Sequence, residues 1–407
     1  MTGQVSTDPK GWAKTTLGNL VKVGRGSSPR PIHDYLAKTG IPWVKIADAT
    51  ASNTRFIKET KQFIKEDGRS TSVKPGDLIV SNSATPGIPK IMAIDACVHD
   101  GWLVFDEYKN VDKWFLFYFF LDYRKKLSYS ASGSVFDNLK TDIVREVIIK
   151  LPPLAEQKSI IKVLSILDDK IELLRTQNKT LETVAEVLFK EWFIENGHLK
   201  IDSGEWSEKP LGEVTNIGIG RTPPRKEHEW FSFDEKDNKW ISIKDLGSCG
   251  AFILNTAEFL TNEAINSFNI PIIPKDTVIL SFKMTVGRVA ITGEDMLSNE
   301  AIAHFKFNDD TPFPKEFLYL FLKVYNYEQL GSTSTIVTSV NSRMIKDILI
   351  PIPDKGIMVK FNRMVEKVFK KIRNNQTQIQ TLTRLRGTLL PKLMRGEIRV
   401  KKETYNG

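Results

Sequence analysis

The chain carries the same pattern twice, and this repeat limits its fold more than any composition figure. Trp12 followed by Leu17-Gly18 is answered by Trp206 followed by Leu211-Gly212, at an offset of 194. Gly24-Arg25-Gly26-Ser27-Ser28-Pro29-Arg30 is answered by the segment from Gly218 to Arg225. Trp43-Val44-Lys45-Ile46-Ala47-Asp48 matches Trp240-Ile241-Ser242-Ile243-Lys244-Asp245, and Pro75-Gly76-Asp77 matches Pro274-Lys275-Asp276. Phe115-Leu116-Phe117-Tyr118 matches Phe317-Leu318-Tyr319-Leu320, and Ile149-Lys150-Leu151-Pro152 matches Ile350-Pro351-Ile352-Pro353 at 201. Such a drift in offset is what unequal loops on a kept core produce. Two copies of this length are a duplicated domain rather than a solenoid.

Each copy reads alike. Short β-branched runs such as Leu78-Ile79-Val80 and Val278-Ile279-Leu280 are punctuated by Gly and Pro. Helices are predicted over about 112–127 and 314–329, then a short strand that runs into proline, then a long helix. The chain so divides into a domain over 1–150, a helix over 151–198, a second domain over 199–352, and a second helix with a basic tail over 353–407.

The two long helices carry heptad seams. Ile160, Leu164, Leu167, Ile171, Leu174, Asn178, Leu181, Ala185, Leu188 and Trp192 alternate spacings of four and three. Phe361, Val365, Val368, Ile372, Asn375, Ile379, Leu382, Arg386, Leu389 and Leu393 do the same, apolar but for Asn375 and Arg386. A narrow apolar stripe on a long helix needs a partner, and two stripes of equal length supply one another. Net charges of −2 over 155–198 and +11 over 355–407 favour that pairing. Matching Asn178 with Asn375 antiparallel also sets Ile160 opposite Leu393 and Trp192 opposite Phe361, so the ends come out flush. The predicted fold class is therefore α+β: two similar mixed domains separated by an antiparallel coiled coil in a pseudo-twofold arrangement. Thirty-odd helical residues would give a rod of roughly 50 Å.

Composition narrows the function. Cys97 and Cys249 are the only cysteines and form no metal or disulfide pattern, which suits a reducing cytoplasm. No apolar run is long enough to span a membrane, and the N-terminus has no signal pattern. A net charge of +9 favours polyanionic partners. There is no phosphate-binding loop, no Asn- or Asp-Pro-Pro-aromatic segment and no histidine pair at metal spacing, so neither catalytic residues nor a metal site are expected.

Three matched segments are candidates for contacting nucleic acid. The glycine-rich pair offers Arg25, Ser27, Ser28 and Arg30, and Arg221, Thr222 and Arg225. The loop after the β-rich run offers Ser81, Asn82, Ser83 and Lys90, and Lys283 and Arg288. A polar segment after the first helix offers Ser132, Ser134 and Asn138, and Thr333, Thr335, Asn341 and Arg343. Lys45 and Lys244, near core tryptophans, join them. Glycine permits close backbone approach, while arginine and hydroxyl side chains bond phosphates and base edges. Each segment taken alone also reads as a surface turn; the recurrence in both halves is what singles them out.

Leu151-Pro152-Pro153-Leu154-Ala155-Glu156-Gln157 opening a heptad helix, the Leu188-Phe189 tail, Gly220-Arg221-Thr222-Pro223 and the tandem organisation resemble the specificity subunit of type I restriction-modification systems. The second helix departs at its start, where Pro353-Asp354-Lys355-Gly356 replaces the Glu-Gln motif. The resemblance implies a non-catalytic cytoplasmic subunit whose two target-recognition domains each read half of a bipartite, asymmetric site in double-stranded DNA. It implies a coil that fixes the gap, two docked methylation subunits that carry S-adenosylmethionine themselves, and motor-nuclease subunits for restriction. No cofactor is expected on this chain. Competing readings are a stand-alone DNA methyltransferase or nuclease, and a pure scaffold.

Overall fold

The computed structural model describes residues 6–7, 11–130, 139–195, 198–199, 206–330 and 340–400, excepting the side chains of 6–7, 125–130, 195 and 198–199. It divides into two compact units, Met1–Glu172 with Leu382–Gly407, and Leu173–Thr381.

The first unit is built on a five-stranded sheet ordered Lys22–Arg25, Trp102–Asp106, Leu78–Ser81, Pro89–Met92, Phe56–Ile57. Its pairs are antiparallel except the last, where Ile91 faces Phe56 in parallel register. The central run is apolar at every position because both faces are covered. Leu78 and Val80 enter the core with Phe115, Leu116 and Phe120 of helix Lys113–Ser130, while Ile79 enters a second core with Trp102 and Val44. A second sheet is ordered Leu36–Ala37, Gln62–Ile64, Ile41–Val44, Ala96–Val98, Thr71–Val73.

The second unit repeats this topology. Its first sheet runs Asn216–Ile219, Ile302–Lys306, Val278–Ser281, Val289–Thr292, Phe252–Ile253, again with one parallel pair at the end. Its second sheet is Phe231–Ser232, Glu258–Leu260, Asn238–Ile241, Leu297–Ser298, and the strand that would complete it is reduced to one bridge, Ile273 to Met296. Helix Lys315–Val324 is shorter than the predicted 314–329. The chain turns extended at Tyr325, and Tyr327 returns its hydroxyl to the Leu322 carbonyl at 2.8 Å within a short 3-10 turn.

The long helices span Leu154–Phe193 and Lys355–Met394. In the second unit Asn375 Nδ2 donates to Asn178 Oδ1 at 2.9 Å, with both side chains buried. Trp192 and Phe361 lie 5.9 Å apart, centroid to centroid. In the first unit Ile160 and Leu164 share a core with Leu390 and Leu393. Arg386, the break in the second seam, is paired with buried Asp168, whose other oxygen accepts from Tyr118 at 3.0 Å. The seam is thus interrupted by a satisfied ion pair rather than by an unpaired charge.

Side chains on the helices fasten each sheet. Glu172 accepts from the Arg55 amide and Nε at 3.0 Å each, and Asp169 takes the Nη2 nitrogen. In the second unit Gln376 brackets Phe252, accepting from its amide at 3.0 Å and donating to its carbonyl at 2.7 Å. The Glu156-Gln157 motif is used internally as well. Gln157, fully buried, bonds the Asp112 amide and the Asn110 and Pro152 carbonyls, while Glu156 holds Arg399 and the Trp12 indole. Arg399, in the basic tail, is therefore engaged. Lys401 and Lys402 lie outside the described residues.

Candidate nucleic-acid interface

In each unit at least two of the candidate segments meet on one short turn. In the first, His99-Asp100-Gly101 connects strands Ala96–Val98 and Trp102–Asp106. Asp100 accepts from Ser28 Oγ at 2.9 Å, faces Arg30 at 3.4 Å, and offers its carbonyl to Arg25 Nε at 2.8 Å and to Asn82 Nδ2 at 3.1 Å. The Asn82 amide donates to the Gly101 carbonyl at 2.9 Å, and the Leu139 amide donates to the Asn82 carbonyl at 2.8 Å. Segments 24–30 and 81–90 and the end of the polar segment before 140 are thereby drawn together.

The second unit draws its first two segments together with different side chains. Its turn is Asn299-Glu300-Ala301. Glu300 accepts from Thr222 Oγ1, the Arg221 amide donates to the Ser298 carbonyl at 2.9 Å, and the Phe282 amide donates to the Ala301 carbonyl at 2.9 Å.

The glycines do allow close approach, but to the protein's own backbone. A Cβ on Gly26 would lie 2.0 Å from the His99 carbonyl oxygen, and one on Gly220 would lie 2.2 Å from that of Ser298. They seat the segment on the turn and leave the following arginines at the surface.

Electrostatics tie the cluster together. Partial burial works to raise the Asp100 carboxyl, yet the Ser28 hydroxyl, a backbone amide, His99 and Arg30 outweigh it and hold it below the usual range. Burial lowers His99 against the pull of Asp100.

Several predicted residues are engaged by the protein's own frame. Ser81 is fully buried and bridges the Thr85 carbonyl and the Ile88 amide. Lys90 is buried, bonding the Ser52 carbonyl at 2.9 Å and that of Thr54. Asn82 is buried beneath its turn. Arg288 reaches the Ile243 carbonyl at 2.7 Å. Arg225, though exposed, forms a bidentate pair with Glu258 at 2.8 and 3.1 Å and lies 4.4 and 4.6 Å from the rings of Phe231 and Trp240. Asn341, also exposed, caps helix Ser342–Lys346 by accepting from the Met344 amide at 3.0 Å. Arg25, Ser27, Arg30, Lys45, Arg221, Lys244, Lys283 and Arg343 are exposed, with Ser28, Ser83 and Thr222 half-buried. Ser132, Ser134, Asn138, Thr333 and Thr335 lie outside the described residues.

Reading for basic and hydroxyl residues passed over Asp100 and Glu300, because acids are not what a polyanion site suggests. The available signal was positional: both sit at the same place in the repeat, at an offset of 200. Among the described residues there is no cluster of His, Cys, Asp and Glu able to hold a metal, and no helix long and apolar enough to cross a membrane.

The family model described as type I restriction modification DNA specificity domain matches this chain twice, over residues 9–183 and 203–384. The chain belongs to this specificity family. It is 27% identical over 422 residues to the type I restriction enzyme MjaIX specificity subunit of Methanocaldococcus jannaschii, covering 97% of this chain and 95% of that one. It is 25% identical over 472 residues to the HindI specificity subunit of Haemophilus influenzae, covering 95% and 99%. The crystal structure of the type I specificity subunit from M. genitalium has the same fold, with a TM-score of 0.55 at 16% identity over 97% of this chain and 98% of that one. Each match to the specificity-domain model takes in one sheet-bearing segment and part of a long helix.

Proposed function

We infer that each unit of this specificity subunit reads one half of a bipartite, asymmetric site in double-stranded DNA. The carrying observation is that both units gather corresponding loops on corresponding turns, by the same backbone geometry, with different side chains at the surface. Equivalent position makes the two clusters equivalent readers; different chemistry makes their half-sites different. The exposed Arg25, Arg30, Arg221, Lys244 and Lys283 give the clusters their positive charge. The paired helices set the gap between the half-sites, their register held by the Asn178–Asn375 bond. The chain itself is non-catalytic, and methylation subunits carrying S-adenosylmethionine dock on it, with motor-nuclease subunits added for restriction.

Base-resolved methylation mapping of cells carrying this chain with its methylation subunit tests the reading. The expected result is one motif of two dissimilar specified halves around a fixed run of unspecified bases. A single uninterrupted motif, or an unchanged methylation pattern, would contradict it.

A further inference from the structure

The hairpin turn between Leu78–Ser81 and Pro89–Met92 and its counterpart between Val278–Ser281 and Val289–Thr292 share one frame. Ser81 Oγ donates to the Thr85 carbonyl and accepts from the Ile88 amide; Ser281 Oγ donates to the Thr285 carbonyl and accepts from the Arg288 amide. The Gly87 and Gly287 amides donate to the carbonyls of Ser81 and Ser281 at 2.7 and 3.0 Å. Both glycines have positive φ, and so do the non-glycine residues at the tips, Ala84 at 57° and Met284 at 62°. The frame is the same in both units, while the tips differ: Ser83-Ala84 in one, Lys283-Met284 in the other.

Met284 is the informative member. It is 89% exposed, in a backbone conformation that side chains with a Cβ disfavour, on a turn whose framing hydrogen bonds are the same in both units. A fold needing only the turn would be served better by glycine, which takes this conformation without cost. The neighbouring Lys283 is exposed and cationic, so the tip offers a phosphate ligand beside an apolar probe. The tip is held to the Glu300 turn through the Phe282 amide, and to helix Ile243–Ser248, which carries exposed Lys244, through Arg288.

Resting on the DNA-reading function inferred above, we propose that these tips are specificity-determining elements and that Met284 reads a thymine by contact with its 5-methyl group in the major groove. Lys283 anchors the adjacent phosphate. In the first unit Ser83 and Ala84 occupy the equivalent place and read a different base edge.

The test uses the complex of the full chain with its methylation subunit, comparing wild type with Met284→Gly. Glycine keeps the positive φ without its cost, and an exposed side chain is all that is lost, so thermal melting no lower than wild type is expected. Methylation rates are measured on duplexes varied at each position of both half-sites, with uracil also replacing each thymine. For wild type, one thymine of the second unit's half-site should lose roughly tenfold when replaced by uracil. For Met284→Gly that factor should vanish, with the first unit's half-site unaffected. Full uracil sensitivity retained in the variant, an equal loss on every duplex, or a wild type indifferent to every thymine methyl in that half-site would each overturn the assignment while leaving sequence-dependent methylation, and hence the reading function, intact. A wild-type complex without any dependence on the half-sites would instead remove the reading function, and this assignment with it.

Discussion

A histidine in the second unit shows how strongly burial sets behaviour. His304 is fully buried on strand Ile302–Lys306, its Nε2 2.6 Å from Ser298 Oγ and its Nδ1 without a protein partner. Burial, aided by the Lys306 charge, pushes the imidazole down to about 3 from an ordinary 6.5. The folded state therefore binds the proton less well than the unfolded chain. Stability is fully present above pH 6.5 and drains away as pH falls toward the folded value. Between pH 6.5 and pH 5 the loss should be about 2 kcal/mol at about 1.4 kcal/mol per pH unit. Urea unfolding at the two pH values measures it, and His304→Gln should flatten that part of the dependence. An equal slope in wild type and variant would show that other groups carry the acid sensitivity.

At the scale of elements, the coil was the most legible part of the sequence, because a four-three alternation over ten positions admits few alternatives. The asparagine register followed from it. Removing one partner by Asn375→Leu strands Asn178 in the interior and should cost about 1–3 kcal/mol. Replacing both by leucine should recover much of that stability while loosening register, as seen by chemical unfolding of the two single variants and the double. A double variant as unstable as the worse single one would show that the pair acts through something other than their mutual bond. The seam rule was blind to Arg386: heptad spacing marks a charged core position as a fault, and only the fold brings Asp168 and Tyr118 to it. The same blindness covers Glu156-Gln157, which signalled a family by its wording yet works by bonding backbone and side chains far along the chain.

For the whole molecule, the repeat revealed that there are two similar domains, and the two larger sheets of each unit agree strand for strand, save one strand reduced to a bridge. The candidate contact residues were legible only as segments. Ser81, Lys90 and Arg288 have the chemistry of DNA ligands, but strand alternation and hairpin geometry turn them inward, and no local rule reveals that. Acids at the centre of the clusters were invisible for the opposite reason: their role is to hold loops, not to meet phosphate. Identity was most legible where a residue is needed by the common frame, such as Trp43 and Trp240, both 1% exposed. It was least legible where each unit differs, and that is where the reading is inferred to occur.

The central claim is that two separable readers share one chain. Its most direct measurement is methylation mapping after residues 12–151 are exchanged for the corresponding segment of a specificity subunit with a known motif. One half of the motif should change to that of the donor, while the other half and the length of the unspecified gap stay as they were. A motif altered in both halves, or in neither, would contradict it.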